Sequence, residues 1–448
     1  MKIPASLPDM DSFSRTLRPD RLVELLRAGP RLGPGADANY SNWEETRAAT
    51  EATGLDAEEQ WFLAKLGRRQ SYRALPLADA TGRPFQYCVP AAAFELLHRI
   101  DRDTLATIPA FEPINNPGTR ATYLQKSLVE EAIRSGQMDG GSTPRRTAKD
   151  MILGGRVPTD TAQRKVFNNH QALEKVREWK DEFLTPDRVL ELHSILTTGT
   201  LDAADSVGRL RVADVAAALS ERSRVPTHEL PHATTLQQRL QVLCDFASAG
   251  SSGEFMHPVV RATLVMFALS HDAPFVDGNG RTARALFYWV MAREGYALCE
   301  YVSISRVFRK ARAQYIRAFQ DTLQDENDAT YFVLYHLRIF TRAIRELQEY
   351  LERKTSEIRD VELRLAHSAT PNASLNKRQL DVLANALKEP TALYTIEAHR
   401  RAHDTAYATS RSDLLQLAES GLLEHRKTGR SFVFVPPPDL QIKLPRAP

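Results

Sequence analysis

The stretch RATLVMFALSHDAPFVDGNGRTARALFYWVMAREG, Arg261 to Gly295, constrains the fold more than any other part of the chain. Two strongly apolar segments flank a Gly-Asn-Gly turn. The spacing predicts a buried helix from about Pro258 to Ser270, ending near His271. A second helix is expected from Asn279 or Gly280, with Leu286, Phe287, Val290 and Met291 turned toward a core. The first run is shorter than a membrane span and carries His257 and Arg261, so it reads as a core helix. Between the helices, glycines allow backbone N–H groups to converge on the positive end of the second helix, which is the geometry of an anion cradle.

The charges around this turn sharpen the expectation. Arg281 and Arg284 are three apart in the first turn of the second helix. Cations there oppose the helix dipole unless an anion lies between them, and two imply a multiply charged ligand such as a triphosphate. Asp277 offers a hard oxygen suited to Mg²⁺ beside such phosphates. Pro274 and Phe275 are expected to fix the loop against the core. Immediately before them stands Ala273, whose methyl group cannot accept a proton. His271 lies two residues too early and reads as a helix-end histidine.

The chain has 448 residues, enough for two or three domains. Its 59 lysines and arginines against 56 acids give a net charge of +3, which argues against a polyanion-coating protein. Cys88, Cys244 and Cys299 lie far apart and fit neither a disulfide framework nor a thiolate metal cage. No apolar core of a signal peptide opens the chain, so a soluble, cytoplasmic protein without a membrane partner is expected.

Apolar spacing is mostly helical. Residues 1–42 read as a loose arm, and 43–160 as a helical region around the extended piece FQYCVP. Residues 161–345 read as a helical core interrupted by a β-hairpin in GRLRVADVAAALSERSRVPTHELPH. Residues 346–370 form a connecting helix and linker, continuing an amphipathic pattern through Phe340, Ile344, Leu347 and Leu351. Residues 371–438 give three short helices and two strands, the order of a winged helix-turn-helix. Its recognition helix is expected to be capped by Thr409 or Ser410, with Arg411 and Ser412 toward base edges and Arg426, Lys427 and Arg430 on the wing. Nine basic residues against seven acids from Leu375 to Val435 make a weak footprint for DNA. Protein contact or dimerisation therefore competes with DNA binding.

PFVDGNGRTAR resembles the signature of Fic-domain proteins, written HPFx[DE]GNGRxxR. WEETR and PFQYCVP resemble that family's N-terminal region, and VSISRVFRKARAQYIRAF its closing helices. GRLRVADV resembles the start of the target-docking flap, through Gly208 and Arg211. The winged helix resembles an appendage of many bacterial members. The resemblance spans about Asn39 to Val435 and implies a mainly α fold: a Fic helical core with a small β-hairpin flap, plus the C-terminal winged helix-turn-helix.

It also implies a reaction, transfer of AMP from ATP to a Ser, Thr or Tyr hydroxyl of a target protein. The motif histidine takes the hydroxyl proton. Mapped here, Asp277 is the metal ligand, Gly278, Asn279 and Gly280 form the anion hole, and Arg281 and Arg284 hold the outer phosphates. Tyr301 and Tyr315 are candidates for the nucleotide environment, with core packing as the alternative. The GNGR loop, rather than a GNK-type variant, favours AMP transfer over phosphorylation. SGQMDG resembles the family's inhibitory motif [ST]xxxE[GN], with Ser135, Asp139 and Gly140 in place and Asp139 one methylene shorter than glutamate. The alternative for that segment is an ordinary helix end.

Ala273 occupies the histidine's place, so this chain is expected to be inactive while still binding Mg-ATP. Everything else in the motif is intact. That favours a deliberate His-to-Ala substitution, with a natural binding-only pseudoenzyme as the alternative. In the second case the chain would be a nucleotide-sensing DNA-binding regulator.

Overall fold

The computed structural model describes residues 7–32, 40–49, 55–106, 117–214, 228–249, 255–366, 375–428 and 431–444. The Pro258–Asp272 helix starts with proline in its first turn, where an N–H has no intrahelical partner, and the His257 ring accepts the N–H of Val259. It packs against the Asn279–Arg293 helix. Every residue from Val259 to Leu269 and from Arg281 to Met291 is buried. Neither helix shows an apolar stripe because protein surrounds both.

The described chain divides into two compact units. The first comprises residues 1–101, 171–295 and 307–341 and contains this central helix pair. Phe267 at its centre meets Phe85, Phe319 and Phe332 with ring centroids 4.9, 5.1 and 5.0 Å apart. Phe85 comes from an antiparallel hairpin, Arg73–Ala78 with Pro84–Tyr87. The extended FQYCVP was anticipated; its partner strand RALPLA was not. The arm expected to be loose instead contains helices Met10–Thr16 and Pro19–Leu32. Asp9 caps the first of these, and Met10 packs with Trp43 and Trp61. Of the Gly- and Pro-rich stretch GPRLGPG, Gly29 and Pro30 fall within the second helix, and Gly33, Pro34 and Gly35 lie outside the described residues.

The second unit comprises residues 102–170, 296–306 and 342–448. Val129, Ala132, Ile133, Ala148, Met151 and Val166 form one small core there. The long amphipathic helix runs from Thr330 to Ala366, and its Val361 joins the core of the C-terminal module with Leu383, Leu414 and Phe434. That module has helices Lys377–Lys388, Ile396–His403 and Tyr407–Glu419. Strands Tyr394–Thr395, Ser431–Val435 and Glu424–Thr428 form an antiparallel sheet in that spatial order. The short first strand was not foreseen.

Candidate functional site

The loop from Ala273 to Gly278 is held from several directions. Ala273 ends the first helix in the left-handed region, φ 39 and ψ 61, with its N–H on the carbonyl of Leu269. Gly278 has φ +85, and an added Cβ would lie 2.8 Å from Thr197 Cγ2 and 3.2 Å from His193 Nε2. Only glycine suits both the backbone and the space. Asn279 closes the loop reciprocally: its Oδ1 accepts from Phe275 N at 2.9 Å and its Nδ2 donates to Phe275 O at 2.8 Å. The Asn279 amide is thus a loop clasp, which leaves its backbone at the start of the Asn279–Arg293 helix.

The platform beneath is the Pro186–Thr197 helix, capped by Thr185. Its His193 has no exposed surface, lies flat on Phe275 at 3.7 Å, and accepts the Gly208 N–H on Nδ1 at 3.1 Å. Nε2 therefore carries the hydrogen and donates to the carbonyl of Asp277 at 2.9 Å. Burial pushes the His193 pKa down to about 4, so the ring is neutral at ordinary pH. The sequence reading missed His193. Its signal was a histidine on the apolar stripe of Val189, Leu192 and Leu196, a buried polar group that must find partners.

Arg281 also turns inward. Its side chain is fully buried, donating to Leu196 O at 2.7 Å and to Asp277 Oδ2 at 3.2 Å. Arg284 is buried as well. The Asp277 carboxylate is 51 % exposed. Among the described residues no group of three or more His, Cys, Asp or Glu could hold a metal alone. A single half-exposed carboxylate fits Mg²⁺, which keeps waters and takes phosphate oxygens as its other ligands.

Arg211 ties the segment that follows Gly208 to this loop. Its N–H reaches Pro274 O at 2.9 Å and its Nε reaches Ala273 O at 3.1 Å. The other guanidinium nitrogens donate to Ala213 O and Pro231 O, at 3.1 and 2.6 Å. The hairpin expected between these points falls largely on 215–227, outside the described residues.

Residues 183–291 match the family model described as Fic/DOC family. A protein adenylyltransferase Fic from Nematostella vectensis is 26% identical over 207 residues, 45% of each chain. One from Culex quinquefasciatus is 22% identical over 280 residues, 62% of this chain and 53% of its own. A Fic family protein structure from Desulfovibrio desulfuricans G20 shares the fold with a TM-score of 0.50 and 19% identity, covering 79% of this chain and 98% of that one. These comparisons support a Fic-family assignment, with a Fic domain at residues 183–291. It spans about half the length of the curated relatives named here.

Around the Fic loop, His271 is buried near the end of the motif helix. It is 1% exposed, with Nδ1 on Asp272 Oδ1 at 3.0 Å. His228 stacks on it at 4.5 Å and donates from Nε2 to its carbonyl at 2.9 Å. Burial pushes the His228 pKa down to about 4, helped by the neighbouring His271. Asp272 in turn receives Arg239 at 2.8 and 2.6 Å, and Arg239 also donates to the hairpin carbonyls of Ala78 and Asp79. This network braces the end of the motif helix.

Other candidate residues are more dispersed. Tyr315 sits among Phe308, Phe319, Phe332, Tyr335 and His336, as a core aromatic would. Tyr301 is buried in the second unit. In that unit the Pro117–Met138 helix ends just before Asp139, with Ser135 buried and Gly140 at φ +83. The Asp139 carbonyl accepts from Lys165 Nζ at 3.3 Å. Arg411 and Ser412 are exposed, but their helix begins at Tyr407 rather than after Thr409 or Ser410. Ser410 is buried and paired with the Thr405 hydroxyl, which removes it from the cap. Arg426 lies against Glu424 at 3.0 Å. The Lys427 side chain and Arg430 fall outside the described residues.

Proposed function

We propose that this chain is built as a protein adenylyltransferase that uses Mg-ATP to place AMP on a Ser, Thr or Tyr hydroxyl of a target protein. The observation that carries the reading is the glycine loop at the N-terminus of a buried helix, with the exposed Asp277 carboxylate beside it. In the reaction the target oxygen attacks the α-phosphorus, the bond to the bridging oxygen breaks, and pyrophosphate leaves. The hydroxyl proton needs an acceptor, and position 273 supplies only a methyl group. Asp277 would hold Mg²⁺, which when bound neutralises phosphate charge. Backbone N–H groups of Gly278 and Gly280 would meet phosphate oxygens. Buried Arg281 would secure Asp277, with Arg284 toward the outer phosphates.

Ala273→His tests this reading: labelled ATP with Mg²⁺ should mark protein in the histidine form and not in the parent. If the parent and the histidine form neither bind nor transfer nucleotide, the reading fails. A second reading rests on the exposed Arg411 and Ser412: the Fic domain senses nucleotide and the C-terminal module, taken as a winged helix, binds DNA. Anisotropy with duplex DNA at low salt decides it, and no binding there removes it. We also propose that Asp139 restrains nucleotide binding. An Asp139→Gly variant with unchanged ATP affinity would remove that brake.

A further inference from the structure

We propose that His193 is a positioning residue that couples the start of the flap to the direction of an anion-binding N–H, and so to Mg-ATP binding. This rests on the adenylyltransferase reading above. One buried imidazole touches both elements: Nδ1 accepts from Gly208 N at 3.1 Å, and Nε2 donates to Asp277 O at 2.9 Å. The peptide between Asp277 and Gly278 is planar and trans, so its C=O and N–H point in opposite directions. With the carbonyl drawn onto the platform helix, the Gly278 N–H is turned away from His193, to the side where an anion would lie. Gly278 has no Cβ to resist rotation of that peptide, and its φ of +85 is one of several accessible to glycine. The hydrogen bond to His193 supplies the direction that the residue itself does not.

The same bond fixes the backbone that carries the Asp277 carboxylate, whose other restraint is Arg281 at 3.2 Å. The stack of His193 on Phe275, 5° from parallel, sets the ring plane that makes both bonds simultaneous. Displacing Gly208 at the flap start therefore tilts the ring that aims the Asp277 peptide. Target docking on the flap and nucleotide binding at the loop share this one side chain.

Two variants of the full chain separate the bonds. In His193→Gln the amide nitrogen stands near the Nε2 position and keeps the donor to Asp277, losing the acceptor for Gly208. In His193→Asn the oxygen stands near Nδ1 and keeps that acceptor, but the side chain is too short to reach Asp277. Titration calorimetry with Mg-ATP should show binding near the parent value for the glutamine variant. The asparagine variant should bind roughly 10-fold or more weakly, the usual scale for loss of an outer-shell partner. Deuterium exchange at the Gly208 amide should slow when Mg-ATP binds the parent, and not in the glutamine variant. Equal binding by all three chains overturns the proposal. Equal losses in both variants, with or without a lowered melting temperature, also overturn it and make His193 a packing residue. If neither the parent nor the Ala273→His chain binds Mg-ATP, the adenylyltransferase reading itself is overturned, and the coupling falls with it.

Discussion

Arg211 holds the carbonyl of Ala273 at 3.1 Å, so the segment that follows Gly208 is fastened to the residue that ends the Pro258–Asp272 helix. The side chain at 273 takes no part in this bond, nor in the one from its own N–H to Leu269. A base introduced there should meet a backbone already fixed. Histidine is among the residues that tolerate the left-handed region which Ala273 adopts. Ala273→His should raise labelled transfer from ATP by roughly 10²–10⁴, the usual contribution of a positioned base. Gel autoradiography with and without Mg²⁺ measures it.

The left-handed backbone at Ala273 has its own cost, about 1–2 kcal/mol for an L-residue. Ala273→Gly should therefore stabilise the chain by about 1 kcal/mol in urea melts, without producing transfer. No gain would mean that the surrounding bonds already absorb the strain.

Gly278→Ala should act oppositely. Its Cβ would come within 2.8 Å of Thr197 Cγ2 at φ +85, so the loop or the platform helix must move. A loss of about 1–3 kcal/mol is expected, together with weaker Mg-ATP binding. Parent-like melting and affinity would show that the contact yields freely.

Asp321 provides a pH test in the first unit. Burial raises its pKa to about 6, despite Arg317 nearby and the hydrogen bond from Asn42 Nδ2 at 3.0 Å. A carboxyl raised on folding favours the folded state when protonated, and that advantage fades as pH rises from about 4 to about 6. Asp321→Asn keeps an acceptor for Asn42 and removes the buried charge. It should stabilise the chain by about 1–3 kcal/mol at pH 7 and by almost nothing near pH 4. Thermal melts at the two pH values give the comparison.

Asp413 should behave with the opposite sign. Burial opposes its charge, but His399, Arg378 and Asn376 outweigh burial and hold the carboxyl well below the usual range. A depressed carboxyl stabilises above the unfolded pKa, about 4, and loses that contribution as pH falls below it. Asp413→Ala should cost roughly 3–5 kcal/mol at pH 7, because Arg378 and His399 lose their shared partner. The variant's melting temperature should also vary less with acid than the parent's.

How much of this was legible in the sequence follows from where each constraint acts. The central helix pair announced itself because its apolar residues and its turn are contiguous, and the boundaries at Asp272 and Asn279 fell close to the expected places. The strand Arg73–Ala78 did not, since RALPLA becomes a strand only by pairing with Pro84–Tyr87. The helices of the N-terminal arm were hidden by the Gly- and Pro-rich stretch that begins within the second of them, although Asp9 supplied a cap to the first. Within the site, Asp277 and Gly278 could be picked out by chemistry and spacing. The inward turn of Arg281 could not, because its partner is the backbone carbonyl of Leu196, 85 residues away. Side-chain identity does not encode such a bond. His193 is intermediate, visible as a polar residue on an apolar stripe but silent about which two backbones it joins.

The clasp between Asn279 and Phe275 separates two properties that are often lost together. Because the loop is closed by its own amide, from below by His193 and from the side by Arg211, its shape does not depend on what position 273 carries. The side chain at this position can be exchanged by a single codon, leaving the loop standing in either state.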